Sequence, residues 1–221
     1  MATRGLKSVT YRFDEPNLKA CINSLSPNLA WSQLRSLIFD TYVEDMDLMF
    51  GILRQMPMLE ILHLPIPNSG VSEQLTMSSL RILTMDLLPT VLNHTEFGHI
   101  LRSFVSPSLT KFSLTAYDGW NETSNILKRQ YNSKELREVA FKGYFQLSVS
   151  SFLRDVPMLH SLSLVWDDIM DDDAVIGISN GSLGRFLLRL EIYIFSDVGK
   201  VFGLVEARKK TVDELIQNGC S

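Results

Sequence analysis

Cysteine is nearly absent, with Cys21 and Cys220 the two in 221 residues. Two thiols build neither a disulfide framework nor a zinc cluster by themselves. A reducing, cytoplasmic or nuclear setting is therefore the expectation. Long apolar runs are missing as well. No stretch reaches the roughly 18 uninterrupted apolar residues of a membrane helix. The opening MATRGLKSVTYRF lacks an apolar block of signal-peptide length. A cationic surplus is also lacking, because 21 Lys and Arg stand against 25 Asp and Glu, for a net charge of −4. This argues against a general nucleic-acid binder, which needs clustered positive charge for phosphates. Apolar residues make up 45% of the chain, so wholesale disorder is excluded too.

Motifs that carry chemistry are scarce. There is no Gly-x-Ser-x-Gly elbow, phosphate loop or dinucleotide fingerprint. In the HTEFGH segment, His94 and His99 flank Glu96 but stand five residues apart, not the four that put two zinc ligands on one helical face. Asp167, Asp168, Asp171, Asp172 and Asp173 form the densest charge run. Their spacing does not fit a calcium-binding EF-hand loop, and a solvated acidic loop is expected there. Cys21 sits among apolar residues at helical spacing and reads as a buried structural thiol. The expectation is a protein that is not an enzyme and needs no metal or cofactor.

Leucine, by contrast, recurs in similar surroundings. Ile52–Leu64 reads ILRQMPMLEILHL and Phe152–Leu164 reads FLRDVPMLHSLSL. Both end in the phrase L-x-x-L-x-L. With conservative replacements the phrase appears as Leu6/Val9/Tyr11, Leu34/Leu37/Phe39, Leu59/Leu62/Leu64 and Leu80/Leu83/Met85. It continues as Leu109/Phe112/Leu114, Leu136/Val139/Phe141, Leu159/Leu162/Leu164 and Leu187/Leu190/Ile192. Successive phrases begin 21 to 29 residues apart. Between them lie stripes at i, i+3, i+4, i+7, the spacing of one helical face. These are Leu18/Cys21/Ile22/Leu25, Met46/Met49/Phe50/Leu53, Phe97/Ile100/Leu101/Phe104, Val149/Phe152/Leu153/Val156 and Val198/Val201/Phe202/Val205. Pro57, Pro107 and Pro157 each stand two residues before a strand leucine, where proline stops a helix and favours extended backbone. Two stretches break the pattern: 64–80 has room for a loop but hardly for a helix, and 167–184 is polar and Gly-rich without a helical stripe.

The period thus switches repeatedly between strand and helix. This predicts an α/β fold, a leucine-rich-repeat-like solenoid of about eight irregular units filling residues 1–221 as a single domain. A parallel sheet would form the concave face and helices the convex one. An ordinary doubly wound α/β domain would not repeat one phrase in every strand, and would offer a Gly-rich turn after the first. If the leucines point inward, the intervening residues line the concave face. Partner-binding candidates there are Arg35, Glu60, His63, Arg81, Lys111, Arg137, His160 and Arg189. The second position of the phrase is biased toward positive charge (Lys7, Arg35, Arg81, Arg137) while the whole chain is negative, which suits an acidic peptide or protein. Trp31 is expected to pack between units, and Trp120 and Trp166 to sit near one rim.

AWSQLRSLIFD, ILRQMPMLEILHL and FLRDVPMLHSLSL resemble the irregular leucine-rich-repeat region of F-box proteins from mushroom-forming fungi. The resemblance spans about Leu6 to Val205. It implies a protein-interaction module that holds the substrate of a cullin-RING ubiquitin ligase. It also implies contact with a Skp-type adaptor, but only if an F-box exists in a longer chain, because Leu6–Tyr11 already reads as a repeat strand. A stand-alone leucine-rich-repeat scaffold with no ubiquitin role is the alternative.

Overall fold

A strand that is apolar on one side must find neighbours that share its face. The computed structural model describes residues 8–11, 31–39, 46–66, 73–87, 101–120, 134–145, 148–165 and 171–193, with single positions 203, 206, 209 and 210. Eight strands form one sheet: β1 (Ser8–Tyr11), β2 (Ser36–Phe39), β3 (Ile61–Ile66), β5 (Ile82–Leu87), β7 (Lys111–Trp120), β8 (Glu138–Phe145), β9 (Ser161–Val165) and β10 (Arg189–Tyr193). Every neighbouring pair is parallel, and the strands keep chain order across the sheet. β1 and β10 are its two edges, so the sheet is open. The numbers skipped belong to a separate parallel pair, β4 (Leu75–Thr76) and β6 (Phe104–Val105).

The register aligns the repeated phrase with itself. Its fourth position forms one continuous row, Val9, Leu37, Leu62, Leu83, Phe112, Val139, Leu162 and Leu190, each paired with the next. From Leu37 to Leu162 these side chains are at most 2% exposed. The sixth position repeats this, with Leu64, Met85, Leu114, Phe141 and Leu164 fully buried. The first position is as deep at Leu34, Leu80, Leu109, Leu136 and Leu159.

Two backbone devices recur with the same period. A tight turn leads into six of the phrases: the N–H of Leu34, Leu59, Leu80, Leu109, Leu159 and Leu187 each donates to the carbonyl three residues back, at 2.9 to 3.3 Å. Next to it, two successive N–H groups converge on one carbonyl of the preceding strand. Glu60 and Ile61 both donate to Arg35, Arg81 and Ile82 to Glu60, and Thr110 and Lys111 to Arg81. The series goes on with Arg137 and Glu138 to Thr110, His160 and Ser161 to Arg137, and Leu188 and Arg189 to His160, all at 2.8 to 3.0 Å.

Helices and short strands cover the apolar face. Helix α1 (Met46–Leu53) buries Met46, Met49, Phe50 and Leu53, the stripe expected from its spacing, and Ile52 beside it. Phe50 meets Phe104 of β6 edge to face at 4.8 Å. Helix α2 (Val149–Asp155) sets Phe152 edge to face against Phe141 of β8 at 5.5 Å. Such T-shaped pairs add about 0.5–1.5 kcal/mol to the burial of the rings. Phe104 leaves its predicted helical stripe: residues 101–103 are helical, and the chain then turns into β6. The loop expected over 64–80 contains β4, which pairs with β6 behind the main sheet. The stripes at Leu18–Leu25 and Val198–Val205 lie outside the described residues, as do Cys21, Trp166 and both HTEFGH histidines.

The 167–184 stretch departs most from expectation. Residues Asp172–Ser179 form helix α3. Its inward residues are Ala174, Gly177 and Ile178, too small to read as an apolar stripe. Gly177 has no room for a side chain: a Cβ there would lie 2.5 Å from Leu183 Cδ1. Trp31 opens a short 3-10 helix, Trp31–Gln33, and is partly buried against the core. Among the described residues no helix is long and apolar enough to cross a membrane.

Ser106 occupies the turn position that holds Met56, Met77 and Val156 in other phrases, and is itself fully buried. Among the described residues its hydroxyl has no hydrogen-bond partner. A buried hydroxyl without a partner costs free energy. Ser106→Ala is expected to stabilise the chain by about 1 kcal/mol, read as a thermal midpoint about 3 °C higher. A lower midpoint would contradict that account. Leu62→Asp and Leu162→Asp each place an unpaired charge in the buried row. Each is expected to cost about 3–5 kcal/mol and lower the midpoint by about 10 °C or more. Unchanged melting of both variants would show the register to be wrong.

Candidate interaction surface

Strand geometry sends the third and fifth residues of each phrase to the side away from the helices. β2 and β9 alternate half-exposed and buried positions accordingly. The resulting open face carries Ser36, Ile61, Ile82, Lys111, Glu138, Ser161 and Arg189 in one row. A second row holds Ile38, His63, Thr84, Ser113, Ala140, Ser163 and Glu191. One residue before the first row runs a rim formed by Arg35, Glu60, Arg81, Thr110, Arg137, His160 and Leu188, whose carbonyls from Arg35 to His160 receive the paired N–H groups.

All eight residues singled out from the sequence stand on this face or rim. Most of the charged ones are matched within the face. Arg35 pairs with Glu60 across β2 and β3. Lys111 Nζ is 2.8 Å from Glu138 Oε2 on the next strand. His63 Nε2 is 2.6 Å from Asp86 Oδ2. Arg189 and Glu191 pair along one strand, and the hydrogen bond and charge of Glu191 raise the already high pKa of that guanidinium. Arg137 is used differently: it donates to the Lys134 carbonyl at 2.6 Å and the Met158 carbonyl at 3.5 Å. The Thr110 hydroxyl donates to the Arg81 carbonyl at 3.1 Å. Exposed ion pairs like these contribute at most about 1 kcal/mol each. On the rim itself, Glu60 cancels the charge of Arg35.

Three groups on or near the face were not singled out. Asp86 and Lys142 occupy the residue after each phrase, one position beyond L-x-x-L-x-L, so a reading confined to the phrase passes over them. Phe186 lies in the turn before β10, where its ring meets His160 edge to face at 6.5 Å and Arg185 lies 5.9 Å from its centroid. Extending the phrase by two residues at each end would have found all three. Among the described residues, Arg81 and Lys142 have no carboxylate partner. Leu188, Tyr193 and Phe186 are exposed, Leu188 at 85%.

Asp171, Asp172 and Asp173 form a helix start where the sequence predicts a loop, while Asp167 and Asp168 lie outside the described residues. Asp171 caps α3 through Oδ1, which accepts the Ala174 N–H at 2.8 Å. Its Oδ2 accepts the Ser150 N–H at 3.1 Å and the Ser148 hydroxyl at 3.3 Å, both at the start of α2. One carboxylate thus ties together the amino ends of two helices, where unsatisfied N–H groups favour negative charge. Asp172 and Asp173 lie in the first turn of α3. Among the described residues no three His, Cys, Asp or Glu side chains are grouped to hold a metal ion.

Against family models, curated proteins and solved structures, the chain matches none.

Burial opposes ionisation of Asp171, but the hydrogen bonds from Ser150, Ala174 and Ser148 outweigh it and hold the pKa below the ordinary 3.8. A depressed carboxylate stabilises the folded chain above its unfolded pKa and loses that contribution as pH falls through the folded value. Asp171→Ala is expected to cost about 1–2 kcal/mol near neutral pH. The gap between wild type and variant should shrink once the pH drops below 3.8. Urea titrations at neutral and acid pH measure both, and a gap that does not shrink would remove the ionic part of the argument.

Proposed function

We propose that this chain is a non-enzymatic protein-interaction module that presents its open sheet face to a protein partner. The observation that carries this reading is the repeated phrase in unbroken parallel register, with one face packed and the other left open. Strand order that never reverses, and backing elements that vary between helix and short strand, support a leucine-rich-repeat-like solenoid of about eight units. Such arrays stack one unit on the next and use the strand surface for binding. The half-exposed Ile38, Ile61 and Ile82, on β2, β3 and β5, form an apolar patch with the Arg35–Glu60 and Lys111–Glu138 pairs beside it, an apolar area next to polar groups as binding patches have. Resemblance to the repeat region of fungal F-box proteins makes a ubiquitylation substrate the favoured partner, if an F-box accompanies the repeats. A cytoplasmic or nuclear location fits that role.

The test is partner capture with face-specific variants. Joint Ile61→Glu and Ile82→Glu should reduce recovery of a discrete partner about tenfold. Ile176→Glu, on the exposed side of α3, should leave it unchanged. Equal recovery by all three proteins would sink the face assignment. For the ubiquitin branch, the product of the whole transcript is expected to co-precipitate a Skp adaptor. Its absence would leave a stand-alone scaffold.

A further inference from the structure

We infer that the rim from Arg81 to Leu188 binds an extended acidic segment of a partner protein, with a bulky apolar side chain at one end of that segment. This rests on the protein-interaction reading above and adds the chemistry of the partner. Neighbouring strands lie about 4.8 Å apart. Four steps separate Arg81 on the β5 side from Leu188 on the β10 side, a span of about 20 Å, or about six extended residues.

Charge is unbalanced at the first end. Arg35 and Glu60 neutralise each other, but the next rim residue, Arg81, is exposed and has no side-chain partner among the described residues. Thr110 turns its hydroxyl to the Arg81 carbonyl and brings no charge. Arg137 is held by two backbone carbonyls, which fix its guanidinium without supplying a carboxylate. Every described carboxylate on the open face, by contrast, already has a side-chain partner: Glu60 has Arg35, Asp86 has His63, Glu138 has Lys111 and Glu191 has Arg189. The chain as a whole is negative, so this local positive imbalance is not a by-product of composition. It favours a partner that brings carboxylates.

The second end is apolar where the rest of the rim is polar. Leu188 stands 85% exposed in a row otherwise made of Arg, Glu, Thr and His. Exposed to that extent it contributes nothing to the core. Phe186, 41% exposed, lies beside it with His160 against its edge and Arg185 near its ring. An aromatic ring, an arginine and a free leucine make a small anchoring patch of the kind that carries binding energy. The two ends differ in chemistry, so the segment they fit is acidic toward Arg81 and bulky and apolar toward Leu188.

The experiment selects phage-displayed random heptapeptides on the full chain, then measures a fluorescein-labelled winner by anisotropy. Expected winners carry Asp or Glu toward one end and Leu, Phe or Met toward the other. Arg81→Glu and Leu188→Ser should each weaken the winner about tenfold. Both side chains are exposed, so circular dichroism should match wild type, and Ile176→Ser on α3 should bind as wild type does. Winners without acidic residues, or a winner indifferent to both rim variants, would overturn the rim proposal while leaving the module reading in place. Displacement of the winner by single-stranded RNA at comparable affinity would also overturn it, in favour of a generic polyanion surface. Failure to select any peptide would overturn it as well. The module reading is judged separately by the Ile61 and Ile82 capture experiment.

Discussion

Two N–H groups meeting one carbonyl at the start of six successive strands, β3, β5, β7, β8, β9 and β10, brace this sheet. The bond pair recurs from Arg35 to His160 without interruption. It sits beside the tight turn that opens each strand, so it fixes where pairing begins. A slip of one residue would send the apolar set to the solvent side. Burial of the apolar set rules out that slip, so Leu37, Leu62, Leu83, Phe112, Val139 and Leu162 fall in one buried row. Each strand is too short to shelter its own leucines. Cover comes from the strand on either side and from the layer behind.

The open face inherits the same order. Once the buried row is in register, the residues between its members are in register too, and their charges meet across strands. Lys111 faces Glu138, and His63 reaches Asp86 one strand over and two residues along. The pairing weakens like-charge repulsion on a solvent-facing sheet and leaves a few groups unmatched. Among the described residues, the Arg81 and Lys142 side chains have no carboxylate partner, and Leu188 stands exposed.

The backing layer obeys a looser rule, because any element that covers the buried row will serve. α1 and α2 do so with large side chains, β4 and β6 with a strand pair, and α3 with small ones. Gly177 leaves room for Leu183 of the following turn to fold back on α3, and Asp171 links the start of α3 to that of α2. A polar, glycine-containing stretch can be a helix here because neighbouring elements satisfy it.

Strand positions were legible from residue spacing. All eight phrases hold the register that their leucines imply, since burying one face of a period-two pattern leaves a single solution. The helices with bulky stripes, at Met46–Leu53 and Val149–Asp155, were legible for the same reason. α3 was not, because its inward stripe of alanine, glycine and isoleucine carries little hydrophobic signal, and its capping carboxylate takes two of its three partners from the start of another helix. The candidate surface was legible as a list of outward positions. Which charges cancel was decided only by tertiary pairing: Glu138 neutralises Lys111 from 27 residues away, and Glu60 neutralises Arg35 from 25. Spacing along the chain determines which face a side chain takes. Only the stacking of one strand against the next determines what it meets there.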